Sequence, residues 1–135
     1  MAGSTGNRAG NMWAKNLLGL MPDRLHNFIF RIIVDRAINN NLQVCQRLHE
    51  IKGKVFRLYA SDINRSYYFF IDDGKIIVDF DGQKRPDVIL QGDFGAFLRL
   101  LFHKADADSL FFSRKLTIKG DVKTSVFFKN LLEHL

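Results

Sequence analysis

Four carboxylates crowd one short stretch, Asp72, Asp73, Asp79 and Asp81, and acids this close could hold a divalent cation or divide acid and base roles between them. The pattern argues against both. Asp72-Asp73-Gly74 reads as a hairpin turn, Asp79 and Asp81 read as strand-end residues, and the alternating oxygen donors of a calcium loop are missing. Cys45 and His49 stand four apart, which on a helix offers two metal ligands from one face, without a visible third. His103, near a helix end, reads as a partner for free carbonyls rather than a base. No nucleophile elbow, phosphate loop or dinucleotide fingerprint is present. The residues therefore predict no catalytic group, no metal site and no cofactor.

The remaining chemistry is apolar. The chain has thirteen phenylalanines, which supply flat apolar area with no hydrogen-bonding demand and suit a wall that closes on itself or on a lipid. Phe127, Phe128, Leu131, Leu132 and Leu135 span an arc of roughly 140° at helical periodicity, with Lys123, Lys129 and Glu133 outside it. Phe94, Phe97, Leu98, Leu101 and Phe102 form a second such face, and Leu110-Phe111-Phe112 stands beside it. Periodicity alone does not separate an ordinary core from a ligand-lining wall. Apolar contact is worth about 25 cal/mol per Å², so a few hundred Å² would hold a lipid without any charged group.

These faces need elements to carry them. Residues 1–22 read as a polar, flexible lead and a short amphipathic helix, Met12 to Met21, with Trp13, Leu17, Leu20 and Met21 on one side. Residues 23–135 read as a single domain. Pro22 stops the first helix and Asp23 is placed to cap a second, Arg24 to Leu42, which is apolar nearly all round Phe28-Ile29-Phe30-Arg31-Ile32-Ile33-Val34 and so must be covered on more than one side. Trp13, Leu17, Leu20, Phe28 and Phe30 are the candidates for contact with a membrane or a protein partner, a homodimer included. Asn39-Asn40-Asn41 weakens or ends that helix, and a further helical turn is expected through Gln46 to Glu50.

Strands are expected at Val55 to Asp62, Tyr67 to Ile71, Lys75 to Phe80, Pro86 to Gln91 and Lys115 to Lys119. In the first, Phe56, Leu58 and Ala60 alternate with Arg57 and Tyr59. Asp72-Asp73-Gly74 joins the second and third, because Asp and Gly tolerate positive φ. Helices are expected from Phe94 to His103, after Asp106 or Asp108, and from Val122 onward, the last started by Gly120, which can turn freely, and Asp121, which can accept from the first free amides. The sum is an α+β layout: an antiparallel sheet of about five strands with helices on one face.

Composition narrows the function. At 135 residues with 47% hydrophobic content the chain folds as one packed domain. The net charge of +6 is uneven: residues 1–54 carry eight Lys or Arg against three acids, residues 55–135 twelve against eleven. A basic segment can meet anionic lipid, nucleic acid or an acidic protein. The cations are not interleaved with aromatics in any recognisable nucleic-acid module, which makes that partner the weaker reading. One cysteine fits a reducing compartment, and neither a spanning run nor a signal-peptide core is visible. The expectation is a soluble cytoplasmic protein, with peripheral contact at the inner membrane left open.

One segment carries a resemblance. Asp106 and Asp108, Leu110-Phe111-Phe112, Arg114-Lys115, Leu116 and Ile118, Gly120-Asp121, then Phe128 to Leu132 follow in the order and spacing of the sterol carrier protein family, above all of its bacterial ubiquinone-biosynthesis accessory members; Ala107 replaces a usual proline. The likeness covers residues 84–135 and extends more loosely from 53. It implies a lipid-binding fold with the apolar ligand between sheet and helices, contacted by Phe97, Leu101, Phe111, Phe112, Phe127, Phe128, Leu131 and Leu132. It implies a non-catalytic domain that holds an isoprenoid quinone precursor for oxygen-independent ubiquinone biosynthesis, beside UbiU and UbiV. A general phospholipid or fatty-acyl carrier and a structural adaptor with a filled core are the alternatives.

Overall fold

The computed structural model describes residues 20–102 and 107–133, the side chains of 107 and 108 excepted. Residues 12–19 of the expected helix at Met12 to Met21, with Trp13 and Leu17, lie outside the described residues, as do His103, Asp106 and Leu135. Leu20 is described and is exposed.

Helix α1 spans Asp23–Val34. Its inward residues His26, Phe30 and Val34, with Ile38 beyond the helix end, are each four apart and all buried. On an α-helix that spacing drifts by about 40° per step. The drift is corrected by a π-helical turn at Asp35–Asn39, whose wider bond from Asn40 N to Asp35 O (3.1 Å) returns Ile38 to the interior. The expected single helix to Leu42 is thus broken at this turn. Asn41 then starts α2, Leu42–Leu48, by accepting the amide of Val44 on its side chain, and a 3₁₀ turn follows at His49–Ile51. Asp23 is not the expected cap: Pro22 holds that position, and the Asp23 carboxylate pairs with the Arg65 guanidinium.

Five strands follow: β1 Val55–Ala60, β2 Arg65–Asp72, β3 Lys75–Asp79, β4 Val88–Gly92 and, later, β5 Leu116–Gly120. Their order is β3-β2-β1-β4-β5. The sheet is mixed rather than wholly antiparallel, because β1 and β4 run parallel with Phe56 opposite Val88 and Leu58 opposite Leu90. Parallel partners need a crossover, and the β2–β3 hairpin lies within it. That hairpin turns at Asp73 (φ 50°) and Gly74 (φ 68°), the paired positive angles of a type I′ turn. Asn39 closes the outer edge of β3: its amide donates to Ile76 O at 3.0 Å while Ile76 N donates back to its carbonyl at 2.9 Å, as a strand would.

Helices α3 Phe94–Leu101, α4 Ala107–Phe112 and α5 Val122–Leu132 complete the layer. The Phe94 amide is capped by Asp62 at 3.0 Å. At the β5–α5 corner Gly120 has φ 124° and packs so tightly that a Cβ would stand 2.1 Å from Asp87 O, so only glycine fits. Asp121 then accepts the Thr124 amide at 3.1 Å and also the Thr124 hydroxyl, and these bonds hold its carboxyl below the usual carboxylate range.

Candidate functional site

The inner face of the sheet is built by alternation: Phe56, Leu58, Phe69, Ile71, Ile76, Val88, Leu90 and Leu116 are all buried, while Arg57, Tyr59, Tyr68 and Phe70 occupy the other face. Aromatic rings fill most of the space between this face and the helices. Phe30 stacks on Tyr67 at 4.7 Å between centroids, Phe56 on Phe69 at 5.0 Å, and Phe128 closes on Phe56 at 4.5 Å. What they leave is a cavity of about 30 Å³ lined only by apolar side chains, drawn from α1, the π turn, the sheet and all three later helices. That is room for about two waters and far less than a lipid tail needs. A lipid tail enters only if side chains or helices part.

The expected lining residues divide. Phe97, Leu101, Phe111, Phe128 and Leu132 reach the cavity. Leu131 is buried beside it, whereas Phe127 is half-buried with the Arg47 guanidinium 5.5 Å from its ring centroid. Phe112 is 93% exposed. Helical geometry explains the split, because neighbours diverge by about 100° and consecutive apolar residues cannot all face inward. The same geometry corrects Phe30: it is 5% exposed and lines the cavity, so it offers no surface to a membrane or partner. Leu25, Phe28 and Ile32 are the exposed apolar residues of α1. Val34, Ile38 and the strand residues Leu58, Phe69, Ile76, Leu90 and Leu116 also line the cavity; the alternation of the strands was the signal for the last group.

Phe111 has a second role in the geometry. Besides the interior cavity it lines an open groove on the molecular surface with Ser109, Phe112 and Lys129, whose ammonium lies 5.8 Å from the Phe111 ring centroid. Phe111 thus borders both the apolar interior and the open groove.

A polar cleft of about 300 Å³ lies on the far side of the Phe30–Tyr67 stack, among Asp23, His26, Arg65, Tyr67, Asp79 and Asp81. His26 Nδ1 and the Tyr67 hydroxyl share a hydrogen bond of 3.0 Å, both groups being buried. Burial, partly offset by the charge of Arg65, pushes the Tyr67 hydroxyl up to about 12. Among the described residues no three His, Cys, Asp or Glu side chains converge as metal ligands would. Cys45 donates its thiol to Asn39 O at 3.3 Å, and burial pushes that thiol up.

The outer sheet face bears aromatic rings that already have partners. Arg57 lies over Tyr59 at 5.3 Å and Lys84 over Phe70 at 3.7 Å, and Gly82 presses on Tyr68 so closely that a Cβ would meet its ring at 2.8 Å. Bases need open ring faces to stack on single strands. This arrangement does not provide a platform for them.

With that geometry in place, the likenesses to known proteins are specific. A model of the SCP-2 sterol transfer family matches residues 34–133. The ubiquinone biosynthesis accessory factor UbiT of Escherichia coli (strain K12) is 30% identical over 86 residues, covering 64% of this chain and 48% of that protein, so the chain spans about half the length of this curated relative. Among solved structures, a UbiJ-SCP2 ubiquinone synthesis protein superposes with a TM-score of 0.66 at 15% identity, over 82% of this chain and 96% of the other. The sterol carrier protein domain 2 of Helicoverpa armigera gives 0.53 at 20% identity, over 77% and 82%. At these identities the structural matches speak for the fold.

Proposed function

We propose that this chain, which belongs to the SCP-2 sterol transfer family, is a non-catalytic carrier that takes an apolar lipid tail between its sheet and its helices. The observation that supports this most is the cavity: every side chain around it is apolar, and it is drawn from elements along the whole described domain. Burying about 300 Å² of tail would contribute about 7 kcal/mol before ordering costs, the gain against which parting of the wall is set. Likeness to UbiT favours an isoprenoid quinone precursor as cargo and a place in ubiquinone biosynthesis. Its oxygen-independent branch, with UbiU and UbiV as protein partners, is the finer reading that goes with it.

A general phospholipid or fatty-acyl carrier is the second reading, favoured by one observation: the cavity has no polar residue with which to select a head group. Mass spectrometry of lipids extracted from the natively purified protein separates the two. Enrichment of a polyprenyl phenol supports the quinone-precursor reading, and a mixture of acyl lipids supports the general carrier. Protein that holds no hydrophobic molecule and takes up no fluorescent fatty acid would refute both and leave a filled structural domain. Among the described residues no helix is long and apolar enough to cross a membrane.

A further inference from the structure

Phe112 is the most exposed large apolar side chain among the described residues, at 93%. It closes helix α4, and Arg114 and Lys115, both exposed, follow within three residues. Arg114 has φ 64° and its amide bonds to Phe111 O at 3.2 Å. This is the left-handed position that ends many helices, and glycine or asparagine fills it at lower cost. A long cation held there breaks the local rule, and such departures concentrate where a side chain serves function. Lys129 of α5 borders the same groove as Phe111 and Phe112. Phe112 in water is thus followed in sequence by two exposed cations and shares its groove with a third, beside the Phe111 ring that also borders the interior.

We propose that this α4 corner is a docking surface for an anionic lipid bilayer: Phe112 enters the acyl boundary, Arg114, Lys115 and Lys129 meet lipid phosphates, and Phe111 is the door through which cargo passes. The cations decide between possible occupants. A bare apolar contact would suit a second copy of the chain, but like charges around Phe112 would then be brought together, whereas anionic head groups complement them. The corner lies beside β5, at the opposite edge of the sheet from β3 and the α1 helix that packs on it, so it is separate from the exposed stripe of α1. The proposal rests on the carrier reading for the role of Phe111, though not for docking itself.

The test is co-sedimentation of the full chain with phosphatidylcholine vesicles, with and without phosphatidylglycerol, alongside transfer of a fluorescent fatty acid between vesicles. Wild type should bind the anionic vesicles more strongly. Phe112→Ser should weaken that binding by about tenfold or more, and Arg114→Gly and Lys115→Gln by about fivefold each. Arg114→Gly is the decisive variant, because it relieves the left-handed backbone and should melt no lower than wild type while binding vesicles less. Phe111→Ala should speed transfer without changing vesicle binding. Variants of Phe112, Arg114 and Lys115 that bind anionic vesicles within about twofold of wild type, or a Phe112→Ser that changes only self-association in light scattering, would overturn the docking surface. If those variants keep cargo uptake, the carrier reading survives that result. Absence of uptake by wild type would sink the carrier reading while leaving vesicle binding to stand or fall separately.

Discussion

Replacing Phe128 by alanine removes a ring at the centre of the apolar interior. The side chain is 2% exposed, its centroid lies 4.5 Å from Phe56 and 6.0 Å from Phe69, and it borders the 30 Å³ cavity. A buried Phe→Ala change costs about 3–5 kcal/mol through lost transfer energy and the void left behind. Two ring contacts place this site in the upper part of that range. Phe127→Ala is the internal control: half-buried, with Arg47 over its ring, it should cost only about 1 kcal/mol. Urea unfolding of lipid-stripped protein followed by circular dichroism would read the difference as a midpoint shift of about 2 M. The enlarged hollow should also accept benzene, so that Phe128→Ala, unlike wild type, is stabilised by it. Equal losses at Phe127 and Phe128 would refute the packing described for α5.

Three further outcomes follow from the same geometry. The Tyr67 hydroxyl is raised from 10.0 to about 12 in the folded state, so the stability it contributes is complete below pH 10 and is lost as the pH rises towards 12, by at most about 2–3 kcal/mol; alkaline unfolding of Tyr67→Phe should show that slope reduced. Asn39→Ala removes both bonds to the β3 backbone and should cost about 1–3 kcal/mol, with faster amide exchange at Ile76 as the local signature. Gly120→Ala would force a Cβ against Asp87 O at a positive φ, and thermal melts should show a loss of about 2 kcal/mol or more.

The elements that local chemistry dictates were legible. Asp72-Asp73-Gly74 forms its hairpin, Phe56, Leu58 and Ala60 share the buried face opposite Arg57 and Tyr59, and Gly120-Asp121 turns β5 into α5 as glycine and an accepting carboxylate should. What depended on long-range pairing was not. Nothing within β1 or β4 announces that they lie side by side in parallel, since period-two alternation looks the same in either direction. The π turn was hidden because Asp35 to Asn39 continues the helical composition. Runs of apolar residues misled for a simple reason: Leu110-Phe111-Phe112 is buried, half-buried and exposed in turn, and a residue count cannot say which member of such a run faces the core. The distinct places of Phe30 and Phe112 come from that ambiguity.

The parallel junction between β1 and β4 also fixes the order in which the molecule can be completed. The β1–β2 and β2–β3 pairings are local meanders that can form as soon as their residues exist, but β4 cannot join until the whole intervening hairpin has been made. Closing that longer loop is the slower step. A chain that ends before Val88 has a three-stranded fragment whose greasy inner side has no α5 to cover it, and apolar surface left open in this way is prone to aggregate.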